Sequence, residues 1–245
     1  MNTFKFISAV AALTLIGSGS AFSAINLDRT RLVITGNETS ASMTINNQNE
    51  KLPYLAQAWL EDDKGNKVQS PFVVLPPLQR VEPKAKSQVK IQVLPAASTL
   101  PQDRESVYYF NLREIPPKSN KPNVLQLALQ TRIKMFYRPE ALVPAKNAAP
   151  WQEKITLSRE GSKYVVNNPT PYFVTLSDAT STAGGKTAEG FEPIMISPKS
   201  SMALGASSSV LGNSPVLTYI NDYGGRPKLE FSCGASNCSL KNAAK

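Results

Sequence analysis

The chain has 245 residues, two cysteines, no histidine, and 27 Lys and Arg against 18 Asp and Glu, a formal net charge of +9. That length suits two ordinary domains. The missing histidine removes the commonest general base and the Ser-His-Asp and Cys-His arrangements, and two thiols are too few to close a structural metal site.

The first residues read as a secretory leader. Lys5 gives a positive start, Phe6 to Ile16 is apolar, and Ala21-Phe22-Ser23-Ala24 supplies a small-residue cleavage region. Cleavage after Ser23 puts Ala21 at the third position back; cleavage after Ala24 would put Phe22 there. The leader is therefore assigned to residues 1–23. The apolar run is short and broken by Gly17 and Gly19, which argues against a transmembrane helix. Removing Lys5, the one charge in the leader, takes the net charge from +9 to +8. Basic proteins often meet nucleic acid. In an exported chain with dispersed cations, an acidic protein partner or a terminal carboxylate is the better match.

The remainder is mostly strands and turns. Ile25 to Ile34 reads as one strand, and Thr39 to Asn46 alternates with Ala41, Met43 and Ile45 on one face. Tyr54 to Glu61 follows, then Asp63-Lys64-Gly65-Asn66 supplies turn chemistry. Phe72 to Leu75 is halted by Pro76-Pro77; Val89, Ile91 and Val93 alternate; and Val107 to Arg113 is aromatic and β-prone. Pro116 to Pro122 is a short polar connection.

Asn123 to Arg138 reads NVLQLALQTRIKMFYR. Leu125, Leu127 and Leu129 alternate with Gln126, Ala128 and Gln130, so in a strand the leucines share a face. The cations Arg132, Lys134 and Arg138 follow. The pattern alone reads as a half-buried strand with its leucines in the core. It also suits an extended peptide that ends in a carboxylate. About seven such strands in roughly 120 residues fit an immunoglobulin-like sandwich.

Pro139 to Pro150 has linker composition, with room for a single helical turn over Glu140 to Val143. Weaker strands follow at Lys154 to Leu157, Lys163 to Val166, Phe173 to Ser177, Ile194 to Ile196, Val216 to Asn221 and Lys228 to Ser232, with a loop expected over Ala179 to Gly190. Within that loop, Gly184-Gly185-Lys186 lacks the upstream glycine of a phosphate loop, and no G-x-G-x-x-G occurs. The boundaries expected are 24–143 for the first domain, 144–150 for the linker and 151–245 for a smaller all-β domain. Cys233 and Cys238, an even pair in an exported chain, read as a disulfide.

Several local sequences, in order, resemble the PapD-like periplasmic pilus chaperones of the chaperone–usher pathway. They are Leu27-Asp28-Arg29-Thr30-Arg31, Pro53 to Trp59, Pro101 to Ser106 leading into Tyr109-Phe110-Asn111, Arg113 to Pro117, Ile133 to Pro139, Asn167 to Tyr172 and Tyr219 to Gly225. The resemblance implies two immunoglobulin-like β-sandwich domains in a boomerang with a cleft between them. It implies a binding protein, neither an enzyme nor a user of ATP, cofactor or metal. The expected partners are pilus subunits (pilins and adhesin), held by donor-strand complementation, and an outer-membrane usher. Carried over by residue, Arg31 and Lys134 would bind the subunit's C-terminal carboxylate. Leu125, Leu127 and Leu129 would form the donated strand. Glu105, Arg138 and Asp222 would form an ion network between the domains. The short Pro116 to Pro122 loop resembles the branch that serves rod-forming adhesive pili. Pro76 and Pro77 fall where usher-facing surface would lie.

Two consequences follow from these positions. Leu129 and Lys134 are five apart and would face opposite sides of a regular strand, so either a bulge intervenes or the cleft is reached around the strand edge. A leucine ridge left exposed implies self-association of the free protein or tight coupling to a client. The alternatives are a structural pilus subunit or adhesin, and a cell-envelope hydrolase, which would need a catalytic constellation.

Overall fold

A computed structural model describes residues 23–241. The leader expected over 1–23 lies outside the described residues except for Ser23. Among the described residues, no helix is long and apolar enough to cross a membrane.

The first half contributes ten strands: β1 (Ile25–Leu27), β2 (Arg31–Thr35), β3 (Ser40–Asn47), β4 (Tyr54–Glu61), β5 (Lys67–Val68), β6 (Phe72–Leu75), β7 (Leu78–Val81), β8 (Lys86–Val93), β9 (Ser106–Ile115) and β10 (Gln130–Arg138). One sheet runs β1-β3-β8-β6; the other runs β2-β10-β9-β4-β5, with β7 also on β4. Alternation on both sheets fills one core. Met43 and Ile45 on β3, Ala58 and Leu60 on β4, Phe110 and Leu112 on β9, and Met135 and Tyr137 on β10 all enter it. Each large side chain buried there contributes about 1.5–3 kcal/mol.

Two expectations need correction here. Ile25 to Ile34 is not one strand: β1 pairs with β3 in the first sheet, and β2 pairs with β10 in the second. The polar residues Asp28 to Thr30 carry the chain across, held by the Asp28 N–H donated to the Thr44 carbonyl at 3.1 Å. Pro76-Pro77 marks a second crossing rather than a plain stop. β6 before it pairs with β8, and β7 after it pairs with β4.

The single turn over Glu140–Leu142 is a 3-10 helix, and another covers Trp151–Lys154. The second half contributes β11 (Thr156–Glu160), β12 (Lys163–Asn168), β13 (Val174–Thr180), β14 (Ile194–Ile196), β15 (Ser200–Ser207), a short helix α1 (Ser208–Leu211), β16 (Val216–Tyr219), β17 (Lys228–Cys233) and β18 (Asn237–Leu240). Their ladder runs β14-β13-β16-β17-β18-β11-β12-β15. β17 changes partner midway: Lys228 to Glu230 pair with β16, and Phe231 to Cys233 pair with β18. The two halves of the ladder thereby cover one core, with Val174, Leu176 and Leu217 from one half meeting Leu157, Tyr164 and Leu204 from the other. Cys233 and Cys238 are joined by a disulfide across the β17–β18 turn. The expected loop over Ala179 to Gly190 is partly sheet: Ala179 and Thr180 belong to β13, and Thr180 bridges to Thr187.

Candidate functional site

β10 organises the site. Its pairing with β9 runs without a register shift from Gln130↔Arg113 to Tyr137↔Ser106. There is no bulge, so alternate residues keep to alternate faces. Ile133, Met135 and Tyr137 enter the core, while Lys134, Phe136 and Arg138 occupy the opposite face.

On its other edge β10 is parallel to β2, in register from Lys134↔Arg31 to Arg138↔Thr35. Arg31 and Lys134 are therefore direct neighbours. Among the described residues, no strand pairs with that edge before Lys134. Arg31 is buried, donates from Nη1 to the Ile220 carbonyl at 3.1 Å, and lies over the Phe136 ring; its Nε is buried without a partner. Burial lowers its pKa, partly offset by the Asp222 and Glu105 carboxylates. Lys134 is half-buried and its pKa is also lowered, first by burial and then by the Arg31 and Arg132 charges. Lys134 makes no ion pair among the described residues. Two adjacent, partly desolvated cations, neither in an ion pair among the described residues, have the chemistry to hold a carboxylate, whose charge-assisted hydrogen bonds are the strong kind. Arg29 pairs instead with Asp28 at 3.0 Å, and Arg132 with Glu61 at 3.2 Å over the Tyr109 ring.

Two pleat repeats beyond Lys134 on the same face, Arg138 meets two acids from other segments. It bonds Glu105 at 2.7 Å and Asp222 at 2.9 Å, with side-chain exposures of 5% for Arg138, 2% for Glu105 and 24% for Asp222. The second Glu105 oxygen accepts the Phe173 N–H at 2.8 Å. Arg138 also lies over the rings of Trp151 at 4.7 Å and Tyr172 at 5.2 Å. Desolvation opposes its charge, but the Asp222 bonds and the Glu105 field prevail and raise its pKa. Burial raises the Glu105 pKa despite Arg138. Asp222, Phe173 and Tyr172 belong to the second sandwich, so this cluster ties the halves together. Phe136 against Phe173 and the Tyr172 hydroxyl donated to the Leu142 carbonyl add to the tie.

The leucines are not in the core, contrary to what alternation alone predicts. Leu125, Leu127 and Leu129 are 83%, 64% and 42% exposed, and strand begins only at Gln130. The Leu129 carbonyl accepts the Glu114 N–H at 2.9 Å, so the β10 register reaches Leu129. Leu129 thus keeps the phase of Ile133 and Met135, and Lys134 the other. Leu129 continues the core-facing side past the end of the sandwich, and Leu127 and Leu125 beyond it are more exposed still. The row borders an open depression of about 660 Å³ with Leu52 and Tyr54. Gln126, between the leucines, ties this segment to the Pro116–Pro122 loop through the Pro117 carbonyl and the Ser119 N–H.

Glu114 and Tyr223 were not picked out by sequence reasoning. Glu114 is buried at the end of β9 and accepts the Ile25 N–H at 2.7 Å, fixing β1. An acid at a core-facing position of an apolar strand was the available signal. Tyr223 lies within the Tyr219 to Gly225 segment of the resemblance, with no role of its own marked there. Pro76 and Pro77 are exposed between the exposed Leu75 and Leu78.

Comparison with known proteins accounts for most of the chain. Residues 24–143 match the family described as pili and flagellar-assembly chaperone, PapD N-terminal domain, and residues 150–231 match the pili assembly chaperone PapD, C-terminal domain. The chain is 50% identical to the probable fimbrial chaperone YfcS of Escherichia coli K12, covering 94% of this chain and 91% of that one. It is 47% identical to the chaperone protein PapD of Escherichia coli, covering 95% and 96%. Among solved structures, a Salmonella enterica SafA pilin in complex with the SafB chaperone matches with a TM-score of 0.71 at 25% identity, covering 87% of this chain and 98% of that one.

Proposed function

The chain belongs to the PapD-like family of pilus-assembly chaperones, and on that premise we propose that it is exported to the periplasm and holds pilus subunits by strand addition there. The observation that carries the reading is the unpaired edge of β10. A client strand added to that edge alongside Leu125 to Ile133 runs into the start of β2, where Arg31 and Lys134 sit. If the added strand is parallel to β10, its C-terminal carboxylate meets both cations; if antiparallel, its ammonium does. The cations therefore select the parallel orientation. Main-chain bonds supply affinity and alternate side chains supply specificity in this mode of recognition, and the exposed leucines are the alternate side chains. The SafA pilin bound to the SafB relative supports a pilin as the client class.

The exposed Leu75 to Leu78 corner supports contact with an outer-membrane usher, to which the loaded subunit passes without ATP, cofactor or metal. The uncovered leucines support self-association of the free chain. A structural pilus subunit is the weaker reading, because the chain carries both chaperone domains. Co-purification from periplasmic extract tests the proposal. The wild-type chain is expected to recover a pilin one-to-one, and Arg31→Ala or Lys134→Ala to lose it while remaining folded. Loss of one partner of such a charged pair costs about 2–5 kcal/mol. Undiminished pilin recovery by both variants overturns the assignment.

A further inference from the structure

Beside Arg31 lies a cleft of about 410 Å³ between the two sandwiches, walled by Asp28 to Arg31 on one side and Asp222 to Gly224 on the other. Tyr223 stands on its rim, 98% exposed. A lone exposed aromatic needs no explanation in general. This one differs in how firmly its backbone is held. Asp222, before it, is clamped by Arg138. The Tyr223 N–H donates to the Asn221 side chain at 3.1 Å, and the turn closes through the Gly224 and Gly225 N–H groups onto Asn221. Gly224, at φ +82°, lies so close to Thr30 that a Cβ there would meet the Thr30 Oγ1 at 2.9 Å. The loop is thereby seated against the residue that precedes Arg31. An aromatic ring presented on a rigid backbone next to a buried cation forfeits little entropy when a partner covers it, which is how tyrosine comes to anchor interfaces.

We propose that Tyr223 is a client-contact residue of the second domain, its ring covering an uncharged side chain within the last residues of a subunit whose terminal carboxylate Arg31 and Lys134 hold. This rests on the subunit-binding reading. The walls explain the preference for an uncharged side chain. Asp28 is already paired with Arg29 and Asp222 with Arg138, and Arg31 is taken up by the terminal carboxylate, so no cation on the walls is left to reward an acidic side chain, and no bare carboxylate rewards a basic one.

The test uses the full chain and the pilin that co-purifies with it, diluted from guanidinium onto the chaperone at a series of concentrations, with the one-to-one complex measured by size exclusion. Tyr223→Ala is expected to weaken capture about tenfold with an unchanged melting temperature, Tyr223→Phe to capture like the wild type, and Arg31→Ala to lose more than either. Wild-type capture by Tyr223→Ala alongside loss in Arg31→Ala overturns the role of Tyr223 and leaves the subunit-binding reading standing. Tyr223→Phe as weak as Tyr223→Ala overturns contact through the ring face. Undiminished capture by Arg31→Ala, or no pilin recovered at all, overturns both.

Discussion

Arg138→Ala removes the cation that is ion-paired with both Glu105 and Asp222. The two acids do not respond alike. The Asp222 side chain is 24% exposed and can rehydrate, whereas the Glu105 side chain is 2% exposed and keeps only the Phe173 N–H. Breaking a buried pair by deleting one partner costs about 3–5 kcal/mol, because the charge left behind is uncompensated. At roughly 2–4 °C per kcal/mol for a chain of this size, thermal melting should fall by about 6–20 °C at neutral pH. The pH dependence identifies the cause. Burial already raises the Glu105 pKa, and loss of Arg138 raises it further. A carboxyl whose folded pKa lies above its unfolded value stabilises the fold fully below the unfolded pKa and loses that contribution as pH rises through the folded one. The deficit of Arg138→Ala should therefore be smallest near the unfolded glutamate pKa of about 4.3 and grow toward neutrality. Adding Glu105→Gln, which keeps an acceptor for Phe173, should recover part of the loss. Melting within about 2 °C of wild type at pH 7.5 would refute the reasoning. A double variant no more stable than the single one would assign the loss to packing on Trp151 and Tyr172 instead.

Two further outcomes follow from the site. Leu127→Glu should leave the free chain folded, because Leu127 is 64% exposed and such substitutions stay within about 0.5 kcal/mol, yet abolish pilin recovery by putting a charge into the client's apolar groove; an unfolded variant by circular dichroism would return the leucines to the core. Lys134 carries a pKa lowered by burial and by Arg31, and a bound carboxylate favours its charged form. Pilin affinity should be full at neutral pH and fall as pH rises through that lowered pKa, and Lys134→Met should abolish the step. In the free chain the sign reverses: a depressed ammonium pKa means stability is gained as pH rises toward the unfolded value near 10.4. A flat affinity profile up to pH 10 in the wild type would remove Lys134 from the carboxylate site.

Short runs of apolar and β-prone residues located β4, β6 and β14 to the residue, because such composition is written locally. Local pattern missed β5, β7, β15 and β18, which are short or built of residues such as SSMALGAS and NCSL that acquire strand geometry from a partner. The split between β1 and β2 was invisible for a related reason: a change of sheet is a tertiary event with no period of its own. Alternation also misplaced the leucines. It reports which side chains share a face and says nothing about what covers that face. Glu105, Arg138 and Asp222 come from three separate segments, so no spacing rule could join them; only the family resemblance did. Tyr223 lies within the Tyr219 to Gly225 segment of the resemblance, but neither period nor chemistry sets it apart from its neighbours there.

The parity of β10 has a mechanical consequence for the proposed function. An exposed strand edge specifies register weakly, and a slip of one residue turns every side chain of an added strand to the other face. The leucine row alone cannot prevent that slip, since its apolar surface is continuous and nothing in it marks an end. A charged terminus held by two fixed cations does mark one. Arg31 and Lys134 lie directly opposite each other across the β2–β10 pair, and Arg31 is held from the second domain through the Ile220 carbonyl. Ile220 is two residues from Asp222, which Arg138 clamps. The interdomain ion cluster therefore fixes the position of the anchor as well as joining the halves. With the client's last residue fixed at Arg31, each residue before it falls opposite a set position on β10, and the phase that meets Leu125, Leu127 and Leu129 is no longer free. Lys134, Arg138 and the leucine segment follow one another along one stretch of chain, and the bulge-free pairing of β10 with β9 carries the register set at Lys134 back as far as Leu129.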